Sequence, residues 1–131
     1  MFRRIVVALA IVLVGAAFGL YLVISQPPQL TAADAGRQLR LRPGQTFQVT
    51  LEGNPTTGYN WIVAQVDEAV LKPVGEPDFK ADSAAIGAGG KVMLRFQAVA
   101  AGQTGLSLAY KRPWEKDAQP EKTFIMSVVV R

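Results

Sequence analysis

Leu39-Arg40-Leu41-Arg42-Pro43-Gly44-Gln45-Thr46-Phe47-Gln48-Val49-Thr50-Leu51 is the stretch from which the fold can be read. Leucine alternates with arginine, Pro43-Gly44 bends the chain, and Phe47, Val49 and Leu51 then alternate with Gln48 and Thr50. Alternation with period two sends one parity of side chains to a core and the other to solvent, and Pro-Gly between two such runs marks a turn. The pattern continues downstream. Tyr59, Trp61 and Val63 share one parity, while Ile62, Ala64 and Val66 make the other side apolar too, as in a central strand. Further short strands are expected at about 70–74, 92–98, 105–110 and 123–130. No part of this region keeps a helical period for three turns. About seven short strands in about 95 residues predict an all-β, immunoglobulin-like β-sandwich.

Strand parity also sorts the connections. Successive strands run in opposite directions, so alternate connections gather at one end. Three of them are plain: Pro43-Gly44, Asp67-Glu68 and Ala101-Gly102-Gln103. The others, roughly 52–58, 75–90 and 111–121, are longer and hold the unusual residues. The expected architecture is a binding tip carried on a rigid β scaffold.

Upstream, Arg3 and Arg4 precede twenty uncharged, mostly apolar residues from Ile5 to Ile24. As a helix this run would be about 30 Å long, near the hydrocarbon thickness of a bilayer. A cleaved signal peptide and a retained N-terminal transmembrane anchor both fit. The anchor is favoured because the run exceeds a usual signal core of about 7–15 residues and lacks a good small-x-small site. The expected division is residues 1–25 as anchor or signal peptide, 26–36 as a spacer carrying Pro27-Pro28, and 37–131 as the domain. The paired arginines predict a cytoplasmic N-terminus with the domain outside the cytoplasm, periplasmic or extracellular: membrane-anchored through residues 5–24, or secreted after cleavage.

The formal charge is +4, and setting aside Arg3 and Arg4 leaves twelve basic against ten acidic residues. Arg37, Arg40 and Arg42 suit the solvent face of a strand, so no concentrated basic stripe calls for nucleic acid. The chain has no Cys and no His. That removes disulfides, thiol nucleophiles and the usual nucleophile–base pairs, and leaves zinc only carboxylates. Glu76, Asp78 and Asp82 match no calcium-loop spacing. The expectation is a monomeric protein that is not an enzyme and needs no cofactor or metal.

Each long connection has its own chemistry. In Asn54-Pro55-Thr56-Thr57-Gly58-Tyr59-Asn60-Trp61, Pro55 fixes its φ and holds Asn54 extended, the threonines keep few rotamers, and Gly58 can take a left-handed conformation. A stiff loop loses little entropy on binding; a plain solvent turn is the other reading. Gly87-Ala88-Gly89-Gly90 leads from loop into strand, so it does not form a phosphate cradle of the strand-to-helix kind. It suits a mobile arm able to lie flat on a partner. In Arg112-Pro113-Trp114 the indole is either a lid folded back on the core or an exposed aromatic anchor with a charged rim.

With these three motifs the chain resembles the chagasin family of cysteine-protease inhibitors, whose signature is an Asn-Pro-Thr-Thr-Gly-Tyr-x-Trp loop, a glycine-rich loop and an Arg-Pro-Trp loop. Residues 54–61, 87–90 and 112–114 match them in order, and the resemblance spans about residues 38–131. It implies reversible inhibition of papain-like cysteine proteases by three loops that occlude the active-site cleft. The protease-binding residues it implies are Asn54, Pro55, Thr56, Thr57, Gly58, Tyr59, Gly87, Ala88, Gly89, Gly90, Arg112, Pro113 and Trp114. Thr56 and Thr57 would face the target's catalytic cysteine and histidine, the glycine-rich loop its non-primed side, and Trp114 its primed side. The alternative is a non-inhibitory envelope module that binds a structural partner or a glycan.

Overall fold

A computed structural model describes residues 27–131. Among them are nine strands: β1 (Gln29–Thr31), β2 (Gln38–Leu41), β3 (Thr46–Gly53), β4 (Asn60–Gln65), β5 (Leu71–Pro73), β6 (Asp78–Ala81), β7 (Gly90–Ala98), β8 (Gly102–Lys111) and β9 (Lys122–Val130). They form two sheets. One has the order β1-β3-β7-β5, with β6 also paired to β7, and the other has the order β2-β9-β8-β4. The protein is an all-β sandwich.

The alternation in the sequence becomes the two inner faces. Phe47, Val49 and Leu51 of β3 and Val92, Leu94 and Phe96 of β7 are buried from one sheet. Trp61, Leu106, Leu108, Tyr110, Phe124, Met126, Val128 and Val130 are buried from the other. Phe47 and Phe96 are register partners, and their rings stack at 5.3 Å. A cross-strand aromatic pair of this kind adds about 0.5–1.5 kcal/mol beyond burial alone. With no cysteine available, this core and its hydrogen-bond ladders hold the domain together. Thr104 is the buried polar residue among those described; its hydroxyl accepts the Asp67 N–H at 2.9 Å and donates to the Gly105 carbonyl at 2.8 Å.

Register places the loops. Gly53, the last residue of β3, pairs with Gly90, the first of β7. Asn60 begins β4 opposite Lys111, which ends β8, and Lys122 begins β9 opposite Tyr110. The connections 54–59, 82–89 and 112–121 therefore leave the sandwich at the same end.

Several expectations are corrected by these pairings. Residues 29–31, placed in the spacer, form β1 and run parallel to residues 48–50 of β3. The expected 75–90 loop is interrupted by β6, whose residues Asp78–Ala81 pair antiparallel with Gly90–Met93. All four β6 residues are exposed, and an edge strand of four residues is too short for its period to stand out in the sequence. β4 is an edge strand and not a central one. On its second apolar side, Ile62 lines grooves between β4 and the β5–β6 edge.

The membrane expectation is also corrected. Among the described residues no helix is long and apolar enough to cross a membrane, and the segment 5–24 lies outside the described residues, as does the expected N-terminal helix. The membrane as partner and the membrane-anchored placement are withdrawn.

Candidate functional site

The first loop is organised by Asn54. Extended at φ −144° and ψ 91°, Asn54 caps a single 3-10 turn over Pro55–Thr57, which Gly58 closes in the left-handed region at φ 86°. Its side-chain oxygen accepts from the Thr56 N–H at 3.2 Å and from the Thr56 hydroxyl at 2.5 Å. Its main-chain carbonyl accepts from the Thr57 N–H at 3.2 Å and from the Thr57 hydroxyl at 2.6 Å. Both threonines are exposed, yet each spends its hydroxyl proton on Asn54. The oxygens are left with acceptor capacity toward solvent.

The second loop is a hairpin turn. The Asp82 N–H donates to the Gly89 carbonyl at 3.0 Å, closing residues 82–89 between β6 and β7. The mobile arm expected at Gly87-Ala88-Gly89-Gly90 is thus tethered at its base. Gly90 is buried in β7, and a Cβ there would run into the backbone of Lys80 and Ala81, so only glycine lets β6 approach. Farther out, the Gly87 carbonyl accepts from the Asn54 side-chain amide at 3.0 Å.

The third loop leans on the first. Arg112 donates from Nε to the Thr57 carbonyl at 3.1 Å, and its guanidinium lies 4.6 Å from the centroid of the Tyr59 ring. Its ion pair with Glu115 is longer, at 3.7 Å. Trp114 is 66% exposed, which rules out the core-lid reading. Its six-membered ring covers Gly58, so that a Cβ on Gly58 would lie 2.5 Å from Trp114 Cη2. Thr57, Gly58 and Trp114 thus share one tip.

Beneath the tip is an aromatic stack. Tyr59 stacks on Tyr110 at 5.2 Å, and Tyr110 packs tilted on Trp61, also at 5.2 Å. Trp61 donates its indole N–H to the Glu52 carbonyl at 3.0 Å. One flank of the tip holds a cleft of about 450 Å³ where Glu52, Asp82 and Glu121 alternate with Arg112 and Lys122. Lys91 bridges Glu52 at 3.3 Å and Asp82 at 3.5 Å. Hydrogen bonding to Glu52 is the main cause that raises the Lys91 pKa, with the Asp82 charge assisting against desolvation. Desolvation, then hydrogen bonding to Glu121, raises the Tyr59 phenol. Neither group changes charge near neutral pH.

Among the described residues no cluster of three or more acidic side chains could hold a metal ion. Asp78 is engaged by Arg95 at 2.8 Å and Asp82 by Lys91. The residues named for the three loops, Asn54–Tyr59, Gly87–Gly90 and Arg112–Trp114, lie at this end of the sandwich. Reading the sequence missed Tyr110, whose hydroxyl accepts the Asn54 N–H at 2.7 Å. Its side chain belongs to a strand, and nothing local in the sequence marks it.

The model of the Chagasin family peptidase inhibitor I42 matches residues 40–128, from β2 into β9 and across all three loops. The chain belongs to the chagasin family. Amoebiasin-1 of Entamoeba histolytica is 31% identical over 105 residues, covering 78% of this chain and 98% of that protein. Chagasin of Trypanosoma cruzi is 29% identical over 100 residues, covering 73% and 91%. Among solved structures, the cysteine protease inhibitor EhICP2 from Entamoeba histolytica superposes with a TM-score of 0.69 at 26% identity, covering 79% of this chain and 95% of its own. For Leishmania mexicana ICP the TM-score is 0.58 at 26% identity, covering 75% and 90%. The matched residues begin at 40, after β1 (Gln29–Thr31) and within β2.

Proposed function

We propose that the protein inhibits papain-like cysteine proteases reversibly, by filling the active-site cleft with the tip built from residues 54–59, 87–90 and 112–114. The inhibitory unit is the immunoglobulin-like domain at 37–131, with β1 appended to it. The observation that carries this reading is the mutual bracing of three family loops: Asn54 holds Gly87, and Arg112 holds Thr57. A tip already braced loses little freedom when it binds.

The first loop also suggests why the inhibitor would not be consumed. A protease nucleophile attacks a carbonyl presented by an extended segment at close range. Here the Thr57 and Gly58 N–H groups bond back to the Asn54 and Pro55 carbonyls in a 3-10 turn. Thr56 and Thr57 would then occupy the space above the catalytic cysteine and histidine while offering no extended bond to cut. The glycine-rich hairpin would lie to the non-primed side and Trp114 to the primed side. The protein is an inhibitor and not an enzyme.

Titrating the purified domain into active papain tests the reading. Activity should fall with the domain, return on dilution, and leave the domain uncleaved after long incubation. Wild-type protein without effect on papain and several related proteases would overturn it in favour of a non-inhibitory module.

A second expected result concerns Asn54. Asn54→Asp keeps the acceptor for Thr56 but loses the donor to Gly87 and sets a carboxylate against that carbonyl. Affinity should drop about tenfold, roughly 1.4 kcal/mol. An inhibition constant equal to wild type would show that the Asn54–Gly87 bond is not needed for binding.

A further inference from the structure

We infer that Tyr110, which lies in a strand and belongs to none of the three loops, is the positioning residue that sets the first two loops of the tip. The inference rests on the inhibitory reading for its affinity readout, though not for its structural one. Tyr110 is 5% exposed, and its ring packs against Tyr59 and Trp61. Its phenol oxygen accepts the Asn54 N–H at 2.7 Å, across 56 residues of sequence. Asn54 is the residue from which the rest hangs. It takes the hydroxyl protons of Thr56 and Thr57, and its amide reaches Gly87 in the second loop.

The sequence makes room for this reach. A Cβ on Gly53 would lie 3.3 Å from Tyr110 Cε1 and 2.8 Å from Val92 Cγ2, so the bare Cα of Gly53 leaves the space through which the ring passes under the loop. Directly after Gly53, the chain must turn out of the sheet while its next N–H still needs an acceptor. Strand β7 begins at Gly90, and its pairing with β3 ends at Gly53. The Asn54 N–H is the first beyond that pairing, and Tyr110 supplies the acceptor from the opposite sheet. The height of the 3-10 turn above the sandwich is then set by a buried, ring-packed side chain and not by the loop alone.

Tyr110→Phe removes the acceptor and keeps the stacked ring. A control for general loss of stability is Thr104→Val. It likewise strips a side-chain oxygen from a backbone N–H, that of Asp67, near the base of the sandwich. Inhibition constants against papain, melting temperatures and amide NMR spectra are measured for both variants and the wild type. The expected result is about a tenfold loss of affinity for Tyr110→Phe and less than twofold for Thr104→Val, although both melt lower. The amide signals of Asn54, Thr56, Thr57 and Gly87 should shift together in Tyr110→Phe and stay in place in Thr104→Val. Equal affinity losses in the two variants, or unmoved Thr56, Thr57 and Gly87 signals in a folded Tyr110→Phe, would overturn the inference. If wild-type protein inhibits nothing, the inhibitory reading fails and the amide signals alone decide the role of Tyr110.

Discussion

Gly58→Val is expected to weaken inhibition of papain-like proteases by about a hundredfold, or roughly 2.7 kcal/mol, while the sandwich stays folded. Two costs act at one atom. Gly58 sits at φ 86°, a region that a β-branched residue enters only under strain. Its new Cβ would also meet the Trp114 ring at 2.5 Å, so the indole must leave. The turn and the third loop are thereby disturbed together. Gly58→Ala should fall between wild type and valine, since alanine brings the Cβ without the branching. A folded Gly58→Val protein with wild-type affinity would show that neither the left-handed turn nor the Trp114 seat matters for binding.

Trp114→Ala should cost about thirtyfold in affinity, roughly 2 kcal/mol, the loss of an exposed aromatic anchor from the primed side of the interface. Its melting temperature should change little, because two-thirds of the side chain already faces solvent. The two substitutions also predict each other. In a Trp114→Ala background, Gly58→Val has no indole to displace, so the double variant should lose less than the two single losses combined. Strict additivity would place the valine effect in the backbone alone. An unchanged inhibition constant for folded Trp114→Ala would confine binding to the first two loops.

What could be read in the sequence followed the length and regularity of each signal. The alternation in β3, β7 and β9 is long enough to separate an inner face from an outer one, and these strands lie where the pattern predicts. β1 and β6 have three and four residues, too few to display a period. The two-sided apolar character of β4 pointed to a central strand, because a groove wall and a neighbouring strand both call for apolar side chains. The three loops declared themselves by composition and by parity. The bonds that join them did not. Asn54 reaches Gly87 across 33 residues, and such a partner is visible only once the sheets are in register. Trp114 carried two meanings in the sequence, lid or anchor, and they differ only in which way the indole turns.

Strand direction has a practical consequence. β3 and β8 run toward the tip and β9 runs away from it, so Arg131 leaves at the base, where its N–H meets the Leu41 carbonyl. Pro28 leaves near the same end, its carbonyl bonded to the Gln48 N–H early in β3. A bead, a fluorophore or a second inhibitory head joined at either side would point the tip outward, unobstructed. Two such domains on a flexible joint could engage two protease molecules on one surface, and the second encounter would then be governed by the length of the joint and not by bulk concentration.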